Sequence, residues 1–168
     1  MNRTWRVGIL TLSDRSARGE REDLSGPALR ESLAGGPYRV ERYEVIPDER
    51  DRIARTLIRW ADAEGLDLVL TTGGTGVAPR DVAPEATRDV IDREVPGMAE
   101  AMRWASLQKT PHAMISRAVV GIRGRTLIVN LPGSPRAARE NLEVLLPALP
   151  HALEKIHGDP SECGQPNG

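Results

Sequence analysis

The chain is poor in the residues that build covalent and metal-held scaffolds. Cys163 is its only cysteine, so a disulfide framework within the chain, a thiolate cluster and a cysteine-held zinc site are all excluded. Its three histidines, His112, His151 and His157, match no metal-ligand spacing. Lysine is almost absent, with Lys109 and Lys155 the only two, so arginine carries nearly all the positive charge. Net charge is -1, which gives no footprint for nucleic acid or an anionic membrane. No apolar stretch is long enough to span a bilayer, and no basic segment followed by an apolar run opens the chain. The cytoplasm is the expected compartment.

What is present suits one domain. At 168 residues, with 39% hydrophobic and 28% charged residues, the chain has the length and composition of a globular protein with a full core. Arg6 to Leu12 is a short apolar run without helical period, as in a buried parallel strand. Ser25-Gly26-Pro27 opens a helix to about Leu33, with the proline in the first turn. Tyr38 to Ile46 alternates as a strand, and Arg50 to Glu64 carries a helical stripe through Ile53, Leu57, Ile58 and Ala61. Gly65 caps that helix before a strand at Asp67 to Leu70. The order β-α-β-α-β predicts right-handed crossovers and a mostly parallel sheet. Further helices are expected at 84–93, 97–108, 136–146 and 147–157. Strands at 118–122 and 126–131 form an added hairpin turning at Arg123-Gly124-Arg125. The fold class is therefore three-layer αβα, with one domain over residues 1–158 and a polar, disordered tail at 159–168.

The densest signal is Thr71-Thr72-Gly73-Gly74-Thr75-Gly76, followed by Arg80-Asp81. Glycines without a Cβ let a backbone approach a ligand closely, and a strand-to-helix turn suits phosphate. The loop lacks the Gly-Lys-Ser/Thr of a Walker A motif and the G-x-G-x-x-G spacing of a dinucleotide fold. No Ser/His/Asp set is visible. Polar punctuation also follows other strands: Ser13-Asp14-Arg15, Pro47-Asp48-Glu49 and Asn130-Leu131-Pro132-Gly133-Ser134. In a parallel sheet these loops share the carboxyl-terminal edge, which gathers Ser13, Asp14, Asp48, Thr75 and Asp81 near the glycines. Carboxylates beside phosphate need a cation between them, which suits Asp48 and Asp81 as Mg²⁺ ligands or orienting groups. Asp48 could equally be a helix N-cap with Glu49 in the first turn, and Asp81 could precede the next helix in the same way. Asp14-Arg15 could be a solvated pair, and Asn130 with its turn could simply end a strand.

The glycine stretch, with Arg80-Asp81-Val82-Ala83-Pro84-Glu85-Ala86-Thr87, closely resembles the molybdopterin adenylyltransferase family and the gephyrin G domain. Ser13-Asp14-Arg15, Ile46-Pro47-Asp48-Glu49, and Ser116-Arg117 with Leu127 through Ser134 agree with that family in the same order. Glu94 to Met98 and Leu146 to Ala152 are also similar, so the likeness runs from about residue 5 to 157. The resemblance implies a molybdopterin-binding-like fold, a homotrimer, and attack by the terminal phosphate of molybdopterin on the α-phosphate of ATP. Adenylylated molybdopterin and pyrophosphate would leave, with a partner enzyme inserting molybdate afterwards. Magnesium is the implied cofactor, placed by Asp48 and Asp81, the implied catalytic pair. Gly73, Gly74, Thr75 and Gly76 would bind nucleotide phosphates. Ser13, Asp14, Ser116, Asn130, Pro132, Gly133 and Ser134 would shape the nucleotide and pterin pockets. Ala83 stands where many relatives have threonine, and no second, molybdate-inserting domain accompanies the motifs, which leaves receptor clustering of the gephyrin kind without support. Two other readings stand beside the enzyme: a molybdopterin carrier without nucleotide chemistry, and a different nucleotide-dependent enzyme using the same rim.

Overall fold

The computed structural model describes residues 3–163. Its six strands are β1 (Trp5–Leu12), β2 (Tyr38–Ile46), β3 (Leu68–Thr72), β4 (Arg93–Glu94), β5 (Val120–Arg123) and β6 (Thr126–Leu131), in spatial order β2-β1-β3-β6-β5-β4. β2, β1, β3 and β6 run parallel, and β5 pairs antiparallel with both β6 and β4. The central strands are apolar on both faces because helices cover both. Successive side chains point to opposite faces, so Val7, Ile9, Leu68, Leu70, Leu127 and Val129 enter one core while Leu10, Leu12, Val69 and Ile128 enter the other. The first core is closed by α2 (Ser25–Leu33), α5 (Pro96–Leu107), α6 (Pro135–Leu145) and α7 (Leu149–Ile156). The second is closed by α3 (Arg50–Ile58) and α4 (Ala83–Arg88). A four-residue helix, α1 (Asp14–Ala17), lies on the rim. The result is a three-layer αβα domain, and no described helix is long and apolar enough to cross a membrane.

This topology fixes where a ligand can sit. The helix following β1 packs on one face and the helix following β3 on the other, so their connections part company above neighbouring strands. That switch point leaves a crevice at the carboxyl ends of β1 and β3, beside the Ser13 and glycine loops.

Several elements differ from the sequence expectation. The helix expected over 84–93 ends at Arg88, and Arg93–Glu94 becomes an edge strand. Gly121 explains the close pairing: a Cβ there would stand 3.0 Å from the Arg93 carbonyl oxygen and press on Ile91. The hairpin turn narrows to Gly124-Arg125, with φ +56° at Gly124 alone, the arrangement that a glycine in first position permits. The 50–64 helix finishes in a π-helical turn, Arg59–Ala63, and a 3₁₀ turn forms at Pro111–Ile115. Of the tail expected to be disordered, 164–168 lie outside the described residues. Asp159 to Cys163 have no helix or strand and meet α7 through Lys155–Asp159 and His151–Cys163 contacts.

Trp60 is buried over the middle of β1, where a Cβ on Gly8 would stand 2.6 Å from its ring and 2.8 Å from Leu66. Gly8→Ala overpacks that site and is expected to cost about 1–3 kcal/mol, read as a lower urea midpoint. An unchanged midpoint would mean that the ring moves freely.

Candidate active site

The rim is laced together by its own carboxylates. β1 ends at Leu12, and Ser13 caps α1, accepting from the Ser16 N–H at 3.1 Å. The Asp14 N–H donates to Asp48 Oδ2 (3.1 Å), and the Asp48 N–H donates to Asp14 Oδ1 (3.0 Å). The loops after β1 and β2 are thus stitched by two reciprocal bonds. Asp48 does not cap α3, whose N-cap is Glu49 without a side-chain bond. Asp81 does not cap α4 either, where Val82 holds that position. Asp14 pairs with Arg80, not with its neighbour Arg15: Nε and Nη2 reach its two oxygens at 3.0 and 2.7 Å.

These bonds divide the charge unevenly. The Arg80 guanidinium holds the Asp14 carboxyl below its usual range. Asp48 is half-buried, and burial pushes its carboxyl above the ordinary aspartate value; the charges of Asp14 and Asp81 act in the same direction. The Asp14 N–H and Arg80 offset part of this. Asp81 Oδ2 accepts from the Ala78 N–H at 2.9 Å. The glycines make room for this pair. A Cβ on Gly74 would stand 3.1 Å from Asp48 Oδ1, and one on Gly76 would stand 2.8 Å from Asp81 Oδ2.

The glycine loop and the turn after β6 form a ridge between two clefts. Ser13, Asp48, Gly73, Gly74 and Asp81 line one of about 390 Å³, together with Gly133 and Ser134. Thr75, Gly76, Ser116 and Pro132 line the other, about 240 Å³, with Arg103, Lys109 and Ser106 among its further walls. Asp14 lines neither and stands behind Asp48. Asn130 lines neither as well. It is fully buried in β6, accepts from the Val119 N–H (3.1 Å), and donates to the Thr71 and Thr87 hydroxyls (3.0 and 2.8 Å). Its side chain ties β6 to β3 and α4, and so holds the ridge from below. Asn130→Ala strands those three buried partners and is expected to cost about 2–3 kcal/mol, seen as a lower thermal midpoint. A variant as stable as the parent would deny Asn130 this role.

Other residues in the site escaped the sequence reading. Asp23 and Ser25 line the larger cleft. Asp23 accepts from the Ser25 N–H (3.1 Å) at the entrance to α2 and from the Thr11 hydroxyl (2.8 Å). The Tyr43 hydroxyl also bonds Asp23, and burial with that carboxylate raises the phenol's pKa. The Ser25 and Thr72 hydroxyls donate to the carbonyls of Gly133 (2.6 Å) and Pro132 (2.7 Å) and fix the second half of the ridge. An aspartate two residues before a helix was the available signal for Asp23; Ser25 and Thr72 lay in stretches already singled out, but nothing local marked their hydroxyls as donors to the turn after β6.

Chemically, the larger cleft offers four carboxylates, of Glu22, Asp23, Asp48 and Asp81, with the Arg21 side chain, hydroxyls and glycine backbone. Among the described residues no group of three or more His, Cys, Asp or Glu side chains forms a metal cage. Mg²⁺ is commonly held by one or two carboxylates and completed by water and substrate phosphates. Asp48 and Asp81, mutually repelling across a shared cleft, fit that pattern.

A family model described as "Probable molybdopterin binding domain" matches residues 8–151. The chain is 44% identical over 167 residues to the molybdopterin adenylyltransferase of Helicobacter pylori strain J99, covering 98% of this chain and 94% of that protein. It is 47% identical to the molybdopterin adenylyltransferase of Escherichia coli K12, covering 92% and 80%. A crystal structure of the molybdopterin biosynthesis enzyme MoaB from Thermus thermophilus superposes with TM-score 0.88 at 61% identity, covering 94% and 99%. The chain belongs to the molybdopterin-binding family that includes the molybdopterin adenylyltransferases.

Proposed function

We infer that the protein is a molybdopterin adenylyltransferase, transferring AMP from ATP to the terminal phosphate of molybdopterin in molybdenum cofactor biosynthesis. The observation that carries this reading is the Asp48–Asp81 pair in one cleft under the glycine ridge, in a chain 44–47% identical to named adenylyltransferases. In the reaction an oxygen of the terminal phosphate bonds to the α-phosphorus of ATP, and the bond from that phosphorus to the β-phosphate's bridging oxygen breaks, releasing pyrophosphate. A phosphate monoester is already largely dianionic near neutral pH, so the nucleophile needs no general base. What the protein must supply is alignment and relief of charge repulsion.

The chain's groups divide along those lines. Asp48 and Asp81 would hold Mg²⁺, which supplies charge neutralisation on the phosphates. Among the described residues the N–H groups of Gly74, Thr75 and Gly76 have no internal acceptor, which leaves them available to phosphate oxygens. The Ser13 and Ser134 hydroxyls border the same cleft and orient the nucleotide. Ser116 and the Pro132 turn face the second cleft, on the pterin's side of the ridge. A homotrimer is the expected assembly, consistent with the strongly exposed Trp104 and Met114, which a neighbouring subunit would cover. The cytoplasm is the expected compartment, and a molybdate-inserting enzyme the expected recipient of the product.

The carrier reading has no relative described as a carrier behind it, since the MoaB at 61% identity is itself described as a biosynthesis enzyme. Calorimetry separates the readings. Binding of both molybdopterin and Mg²⁺·ATP is expected; pterin binding without ATP affinity would favour the carrier, and ATP binding without pterin affinity would favour a different nucleotide-dependent enzyme.

A further inference from the structure

Asp81 reaches the cleft from a stretch with little support of its own. Residues 76–81 are largely exposed, Val77 at 64%. Their internal bonds are local: the Asp81 N–H donates to Ala78 O, and the Ala78 N–H donates to Asp81 Oδ2, both at 2.9 Å. Two longer-range ties hold it: the Arg80 side chain pairs with Asp14, and the main chain at both ends of the stretch is held by Arg117, just before β5. Its main-chain N–H donates to Thr75 O at 2.8 Å. Its Nε donates to Gly76 O (2.6 Å) and its Nη2 to Asp81 O (2.7 Å). Its Nη1 pairs with Glu85 Oε1 in the first turn of α4. One planar guanidinium therefore joins both ends of the loop and fastens them to a helix whose Ala83 and Ala86 are buried in the core.

We propose that Arg117 is a positioning residue for adenylyl transfer, setting the place of the Asp81 carboxylate by clamping the carbonyls of Gly76 and Asp81; this rests on the adenylyltransferase reading. Arg117 lines neither cleft, so it acts through Asp81 and not on substrate. The carboxylate lies directly over the start of its own loop, with Gly76 bare beneath it. Displacing either carbonyl thus displaces the carboxylate. A misplacement of about 1 Å costs on the order of a hundredfold in rate. Lysine cannot replace the clamp, because a single ammonium lacks the fixed fork that reaches two carbonyls and a carboxylate at once.

The test uses full-length Arg117→Lys and Arg117→Ala proteins in steady-state kinetics, thermal melts and amide hydrogen exchange. For Arg117→Lys, kcat is expected to fall about 10–100-fold, in line with that positional sensitivity, while KM for molybdopterin stays near the wild-type value. The melting temperature should move by only about 2–4 °C. The Ala78 and Asp81 amides, the two of this stretch that find an acceptor within it, should exchange at least about tenfold faster, with β3 still protected. Wild-type kcat in Arg117→Lys, unchanged exchange at these two amides, or a kcat loss that merely follows the unfolded fraction would each overturn the proposal. Should the wild-type protein transfer no AMP, the adenylyltransferase reading fails separately. The exchange data still judge the clamp, since unchanged exchange at the two amides would refute it.

Discussion

Asp48→Asn and Asp81→Asn are each expected to lower kcat for AMP transfer by about 10²–10³-fold while leaving the protein folded. On the proposed reading two polyanions react beside the larger cleft, whose walls carry the carboxylates of Glu22, Asp23, Asp48 and Asp81 against the single cation of Arg21. In the proposed mechanism a divalent ion would stand between the acids and the phosphates, and asparagine would remove the charge that retains it. The same substitution separates function from stability at Asp48. Its folded pKa lies above the ordinary aspartate value. Below that ordinary value both folded and unfolded chains are protonated, and Asp48 carries no penalty. As pH rises through the window up to the raised folded pKa, the unfolded chain ionises first and stability is lost; above the window the loss is complete. An asparagine side chain at this position has no charge to bury and keeps an oxygen for the Asp14 N–H. In Mg²⁺-free buffer at neutral pH, Asp48→Asn should therefore melt no lower than the parent, and the two should converge at acid pH. A variant that melts lower and still transfers AMP at the parental rate would make Asp48 a structural residue.

Gly73→Ala is expected to have the largest effect on folding. Gly73 sits at φ +104°, and a Cβ there would overlap the Leu12 carbonyl oxygen at the end of β1. Both the backbone angle and the clash are penalised, and neither neighbour is the end of a flexible side chain. The N–H of Gly73 also donates to Leu131 O at 3.0 Å, which joins the ridge to β6. A loss of about 4 kcal/mol or more should lower the melting temperature by about 8–16 °C. Gly35 is the control: its φ is +81°, and nothing lies within 4 Å of an added Cβ. Gly35→Ala should show the backbone strain alone, about 1–2 kcal/mol. Equal losses at the two positions would show that the ridge yields and that Leu12 does not fix it.

The sheet was legible because long apolar runs, crossover-length spacers and glycine or proline breaks all implied the same parallel order. β4 was not, because Arg93-Glu94 is polar and becomes a strand only through what Gly121 allows across the hairpin. The rim was legible as a set of loops, since topology alone sends the ends of β1, β2, β3 and β6 to one edge. How those loops are joined was not. The Asp14–Asp48 lacing crosses 34 positions, and the Arg117 nitrogen on Gly76 crosses 41; no local pattern encodes such pairs. Asn130 looked like a pocket residue because it precedes the Pro132 turn. Its side chain is instead taken up by Thr71 and by Thr87 of a helix that reaches it from the other layer. The glycines carried more than their sequence suggested: Gly74 and Gly76 keep N–H groups without an internal acceptor among the described residues and also clear the space that Asp48 and Asp81 occupy.

The most direct measurement follows the α-phosphate itself. ATP labelled at that phosphate is mixed with molybdopterin, Mg²⁺ and purified protein, and label in the pterin product is counted beside the pyrophosphate released. Equal molar appearance of the two is expected, with both lost in Asp81→Asn. Molybdopterin that binds while the label stays in ATP, under conditions where an established adenylyltransferase reacts, would contradict the assignment.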